Sequence, residues 1–274
     1  MILLRRRYLA LAAVLCAVAV FSLNGPVSLR GAEETKGEKP IKALLVIGGC
    51  CHDYAKQKTI LSEGISARAN VQWTIIHEGD PKSDHKMSVF ENPDWAKGYD
   101  VVVHDECCSA VKDPAFIEQV LKPHKEGFPA VILHCGMHCF RSEGYPKMTP
   151  WFEFTGLPST GHGKQLPISI GFVDKDHPIT KGLEDWTTVN EELYNNFAGG
   201  VLDTAHPLAR GKQGDADCVV TWTNSYNGKA RVFATTLGHN NATVADPRYL
   251  DLVTRGLLWS VNKLDDKHFK SAAK

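Results

Sequence analysis

The first half of the chain alternates two kinds of block. Residues 42–48 form an unbroken apolar run that closes on Gly48 and Gly49, the pattern of a strand buried on both faces. Ile60, Leu61 and Ile65 then fall on one side of a helix predicted over 54–69. Residues 71–77 and 99–104 predict two further strands, separated by a polar, proline-containing stretch over 79–98. Asp113 followed by Pro114 opens a helix that turns Phe116, Ile117, Val120 and Leu121 inward and carries Pro123 near its end. Residues 129–134 give the next strand. Strands alternating with helices at this spacing predict an α/β fold with a doubly wound, mostly parallel sheet covered by helices on both faces.

Beyond residue 150 the pattern loosens. Residues 151–164 read as loop, 166–173 and 187–194 as strands, and 218–223 with 231–236 flank Asn227-Gly228, a strong hairpin signal. Asp246-Pro247 starts a last helix in which Leu250, Val253, Leu257 and Val261 recur at helical spacing. A single α/β domain over 41–263 accounts for this, with a charged linker over 33–40 and a tail over 264–274.

Composition narrows the class. With 274 residues, 43% hydrophobic and 23% charged, the chain is no disordered, collagenous or multi-span membrane protein. Arg5, Arg6 and Arg7 precede an uncharged apolar run over 8–23, which predicts an export signal over 1–32 and a periplasmic or secreted protein. The order Arg5-Arg6-x-Tyr8-Leu9 leaves a twin-arginine route open beside the Sec route. Arg30 fits a cleavage site near 31–32 poorly, so an uncleaved anchor stays open too. The 31 basic and 31 acidic residues balance, and removing the leader's four arginines leaves a net charge of −4. That balance disfavours nucleic acid, and any membrane contact beyond the export signal.

Candidate chemistry collects after the predicted strands, where open α/β sheets bind ligands. The first strand is followed by Cys50, Cys51, His52 and Asp53, the 99–104 strand by Asp105, Glu106, Cys107 and Cys108, and the 129–134 strand by Cys135, His138, Cys139 and Arg141. His134 and His138 have the i, i+4 spacing with which two imidazoles meet one metal on a helix, His52, His104 or Glu106 completing the set. A hydrogen-bonded histidine at a cleft edge is the competing reading. Seven cysteines lie beyond the leader, an odd number that leaves at least one unpaired. The cysteines at strand ends are either ordinary buried thiols or a disulfide between neighbouring strands, and since vicinal cysteines seldom bond to each other, a bridge from Cys50 or Cys51 to Cys107 or Cys108 is the form expected of a disulfide. From the second half come His239 and Asn240 after the last strand, His162 between glycines, and Glu192 with Tyr194.

These residues resemble the ThuA-like family, named for trehalose utilisation, over 42–261. The resemblance rests on Val46 to Gly49 with His52-Asp53, Leu133-His134, Asp176-His177-Pro178-Ile179, Glu192-Leu193-Tyr194, Gly228 to Phe233 and Leu237-Gly238-His239. It implies a fold similar to the class I glutamine amidotransferases, whose chemistry needs a cysteine at a strand-to-helix elbow and a His-x-Glu pair. Here the elbow falls on His134, and Asn241 stands where the glutamate would be. Glutamine hydrolysis is therefore not expected, although a register placing Cys135 at the elbow would partly restore it.

The resemblance implies carbohydrate metabolism, with relatives associated with keto-disaccharides. A keto group acidifies its neighbouring C–H, so cleavage needs a base, an oxyanion holder and an acid. The expected catalytic residues are His134, His52, Glu106 and His239, with Asp53, Arg141, His162, Glu192, Tyr194 and Asn240 binding a small carbohydrate. A divalent metal such as zinc would be held by His52, His104, His134 and His138. A homodimer is compatible with the sequence. The competing expectation is a noncatalytic carbohydrate-binding or accessory protein, in which Trp73, Trp95, Trp151, Trp186 or Trp222 offers a stacking face.

Overall fold

The computed structural model describes residues 38–196 and 200–270. The expected export signal, residues 33–37 of the linker and the last four residues of the tail lie outside the described residues. No helix among the described residues is long and apolar enough to cross a membrane.

The strands are β1 (Ile41–Gly49), β2 (Val71–Glu78), β3 (Val101–Cys107), β4 (Ala130–Leu133), β5 (Leu166–Phe172), β6 (Trp186–Glu191), β7 (Ala205–Gln213), β8 (Ala216–Tyr226) and β9 (Ala230–Thr235). They form one sheet in the order β2-β1-β3-β4-β9-β8-β7-β5-β6. The pairings from β2 to β9 are parallel, and those from β9 to β6 are antiparallel. The expected mostly parallel sheet is thus parallel in one half only. Long helical crossovers serve the first half, whereas the Asn227-Gly228 turn joins β8 directly to β9 as the hairpin signal predicts.

The apolar run of β1 is continuous because both its faces are covered. Ala43, Leu45 and Ile47 pack with α1 (Tyr54–Ser66) and α5 (Pro247–Ser260) through Leu61, Ile65, Val253 and Leu257. Leu44 and Val46 point the other way, into a second core built on α2 (Pro114–Glu126) and α3 (Pro150–Thr155) with Leu121, Trp151 and Phe154. Asp113 caps α2 by accepting hydrogen bonds from the Ala115 and Phe116 amides, and Gly127 closes it at φ 115°. A four-residue helix, α4 (Asn241–Val244), follows β9.

Two elements depart from the sequence reading. The stretch 151–164 begins with α3, capped by the Thr149 side chain, and β7 occupies a region that gave no strand signal. Pro207 breaks the usual pattern there, and the register with β8 shifts between Pro207 and Ala209, a bulge that accommodates a residue without an N–H. The expected tail also folds back as far as Lys270, whose amide donates to the Arg68 carbonyl, while Phe269 lies under Arg255.

Candidate active site

Carboxyl ends of β1, β3, β4 and β9 converge at one edge of the sheet. β1 delivers His52 and β9 delivers His239. After β4 the chain turns into a short 3-10 segment, His134–His138, and His134 takes a left-handed φ of 40°. Such a backbone is costly for a residue with a Cβ and persists only where the surroundings hold it. Here the His134 Nδ1–H donates to the Thr236 carbonyl at 2.7 Å, which leaves Nε2 as the acceptor facing the Tyr194 hydroxyl at 3.2 Å.

Glu192 supplies the charge around which the imidazoles gather. β6 ends at Glu191, whose carboxylate already meets the loop after β9, so Glu192, the next residue, reaches this edge directly. One carboxylate oxygen of Glu192 lies 3.5 Å from His134 Nε2, and the other lies 3.2 Å from His239 Nδ1 and 3.5 Å from His162 Nε2. The His52 ring stands edge-on to His134 and His239, with ring centres 4.5 and 5.0 Å away. One ligand atom from each of His52, His134, Glu192 and His239 lies within 4.8 Å of the other three.

The His52 ring and the Glu192 carboxylate both keep their lone pairs available. Burial, reinforced by His134 and His239, pushes the His52 pKa down to about 2, so its ring is neutral. Burial would raise the Glu192 carboxyl, but the adjoining His134 and His239 imidazoles outweigh it and hold the group well below the usual carboxylate range. The Glu192 carboxylate in turn raises the pKa of His239. Nδ1 of His52 and Nδ1 of His239 are buried without a well-aligned hydrogen-bond partner. Two orphaned nitrogens in an N/O donor set of three histidines and one carboxylate fit a divalent transition metal such as zinc.

Glu191, next to it, does a different job. Its carboxylate is fully buried and accepts backbone N–H bonds from Asn240 at 2.8 Å, His239 at 3.0 Å and Gly238 at 3.4 Å. It fixes the loop that carries His239. The sequence offered a signal for this pair, since two adjacent acids stand inside a strand pattern, but not which of them would face the histidines.

A cavity of about 330 Å³ opens beside this cluster, lined among others by His52, Glu192, Tyr194, His138, Arg141 and His162. The Arg141 Nε is buried without a partner, and its guanidinium lies 5.1 Å from the Tyr145 ring centre. His138 donates or accepts at Ser159 Oγ, 2.9 Å away, and stacks on Tyr194 with centroids 4.1 Å apart, so it lines the cavity but stands outside the four-ligand group. Asp53 is exposed and accepts from the Asn241 amide at 2.8 Å, and Asn240 caps α4 through its side chain. Both therefore brace the rim.

Glu106 and His104 are not part of this site. β3 is buried on both faces, and these two side chains point into the α2 side of the sheet, where His104 Nδ1 meets Glu106 at 2.8 Å and Nε2 meets His124 at 3.4 Å. The segment of His134 and His138 is a 3-10 turn and not an α-helix, and although both rings lie against Tyr194, only His134 joins the four-ligand group. The cysteine pairing differs from expectation as well. Cys50 bonds to its neighbour Cys51, and Cys107 bonds to Cys135, which the end of β4 brings beside it. Cys135, the candidate nucleophile of a shifted elbow, is thereby tied up.

Residues 42–260 match the ThuA family, described as trehalose utilisation. This chain belongs to the ThuA family. Among solved structures it is similar to a ThuA-like protein of Parabacteroides merdae, at 21% identity over 86% of this chain and 93% of that one, with a TM-score of 0.63. A ThuA-like protein of Bacteroides uniformis is 14% identical over 87% and 98% of the two chains, with a TM-score of 0.60. A cold-adapted β-galactosidase of Rahnella shares the fold over 81% of this chain and 31% of its own, at 13% identity and a TM-score of 0.52. At these identities the likeness concerns the ThuA fold alone. No curated protein matches the sequence.

Proposed function

We propose that this ThuA-family chain is a metal-assisted acid–base enzyme of carbohydrate metabolism, acting on a glycoside or its keto form outside the cytoplasm. The observation that carries the reading is the convergence of His52, His134, Glu192 and His239 within 4.8 Å beside a cavity of about 330 Å³. That volume is at the small end of ligand sites and suits a sugar unit. A divalent ion such as zinc held by those four side chains would supply a Lewis acid for a substrate oxygen.

The remaining residues have distinct tasks. Nδ1 of His162 donates to the Gly163 carbonyl at 2.8 Å, so its half-exposed Nε2 faces the cavity as the base that takes a proton from carbon beside a keto group. Arg141, with its unpartnered Nε, holds the oxygen on which negative charge develops. Tyr194 keeps His134 in its tautomer and forms the cavity wall. A stacking sugar-binding protein is less well supported, since Trp95, Trp151, Trp186 and Trp222 are buried and no tryptophan among the described residues lines this cavity.

Elemental analysis of natively purified protein, followed by assays on 3-keto-glycosides with and without chelator, tests the reading. About one equivalent of metal per chain and chelator-sensitive turnover are expected. Absence of turnover in every metal state, with sugar affinity unchanged in His134→Ala, would replace it with a noncatalytic binding role.

A further inference from the structure

The cavity has a second chemistry on its wall, independent of any sugar. Cys50, Cys51, Cys107 and Cys135 all line it, in two disulfides whose sulfurs meet: Cys50 Sγ lies 3.5 Å from Cys107 Sγ. Accessibility is graded along the series. Cys51 is exposed and Cys50 half-buried, while Cys107 and Cys135 are 3% and 6% exposed. Cys51 also has a φ of 89°, a left-handed backbone that costs a residue with a Cβ. Exposure and backbone strain together make the vicinal bond the one a reductant reaches first.

The other thiols are placed elsewhere. Cys108 and Cys139 are buried, and Cys139 Sγ is occupied by the Cys108 amide at 3.0 Å and the Glu106 carbonyl at 2.9 Å. Cys218 lies on β8 and does not line the cavity. The exchange-competent sulfurs are therefore the four of the two disulfides.

We propose that these two disulfides form one thiol–disulfide exchange site, entered by a small dithiol at Cys51, in which Cys50 relays the reducing equivalents to Cys135. The dithiol's thiolate attacks Cys51 Sγ and Cys50 leaves as a thiolate. The second thiol of the reductant closes its own disulfide and releases Cys51, so two electrons and two protons pass to the protein. The Cys50 thiolate then attacks Cys107 Sγ, forming Cys50–Cys107 and breaking Cys107–Cys135. Cys135 departs as a thiolate and takes up the proton that Cys50 gave up. The product places a thiol beside His52, since ligand atoms of His52, Cys107 and Cys135 lie within 4.8 Å of one another.

Partial reduction of the native full chain with one equivalent of dithiothreitol, acid quench, alkylation and peptide mapping reads this directly. The expected result is label on Cys51 and Cys135 together with a Cys50–Cys107 linked peptide, the Cys135 label rising severalfold over unreduced protein. Label on Cys50 and Cys51 with Cys107–Cys135 intact would show two independent bonds and overturn the proposal, as would four free thiols before any reductant is added. The variant Cys51→Ser provides a second arm without reductant. It is expected to form Cys50–Cys107 and leave Cys135 alkylatable, whereas an intact Cys107–Cys135 bond beside a free Cys50 would refute the relay.

Discussion

Glu191→Gln is a substitution of nearly constant volume that tests whether the loop bearing His239 is held electrostatically. One Glu191 oxygen accepts from Asn240 at 2.8 Å, and the other accepts from His239 at 3.0 Å and more weakly from Gly238 at 3.4 Å. A glutamine can turn its carbonyl oxygen to only one of those positions. Its NH2 group then faces backbone N–H groups, donor against donor, in a fully buried setting. Hydrogen bonds to a charged acceptor contribute about 1.5–3 kcal/mol each, and a stranded buried donor costs about 1–3 kcal/mol. Loss of one strong bond with partial relaxation gives a destabilisation of about 2–4 kcal/mol. Urea unfolding at neutral pH measures it as a lower midpoint with an unchanged slope. Metal affinity should fall in parallel, because His239 loses its fixed position while all four ligands remain. A midpoint within about 0.5 kcal/mol of the parent, in the range of a neutral surface change, would refute the reasoning.

Removing the Nε2 ligand with His134→Ala should abolish stoichiometric metal, read by elemental analysis, and reduce turnover by at least about 100-fold if the ion polarises the substrate. Burial, with His104 adding to it, pushes the His124 pKa down to about 3, so the folded state disfavours its charged form. Below its unfolded pKa of about 6.5 the unfolded chain binds the extra proton, and His124 should cost roughly 1.4 kcal/mol of stability per pH unit between about 6.5 and 3. Unfolding curves at pH 7.5 and 5.0 should therefore converge by about 2 kcal/mol in His124→Gln relative to the parent, and parallel behaviour of the two proteins would rule this out. Gly256→Ala would set a Cβ inside van der Waals contact with the Phe233 ring, between helix α5 and strand β9. Overpacking of this kind should cost about 1–3 kcal/mol, visible as a lower Tm in calorimetry.

Much of the framework is legible in the chain alone. Apolar runs without alternation mark strands covered on both faces, Asp-Pro pairs mark the starts of α2 and α5, and Asn227-Gly228 marks the hairpin, because each depends on contacts within a few residues. The positions of His52, His134 and His239 after strands were likewise enough to place them at one edge, since parallel strands deliver their carboxyl ends together. Tertiary structure alone decided which side chains meet there. Glu106 and Glu192 are both acids at strand ends, yet the pleat sends Glu106 into the α2 core beside His104, while the end of β6, packed against the loop after β9, sets Glu192 between His134 and His239. The spacing of His134 and His138 suggests shared ligation only if the backbone is α-helical, and here it is a 3-10 turn with His138 outside the ligand group. Cysteine partners depend on distances between chain segments far apart in sequence, which local pattern does not encode. Side-chain direction at a strand end is set by one residue of register, and that register is fixed only when the whole sheet packs.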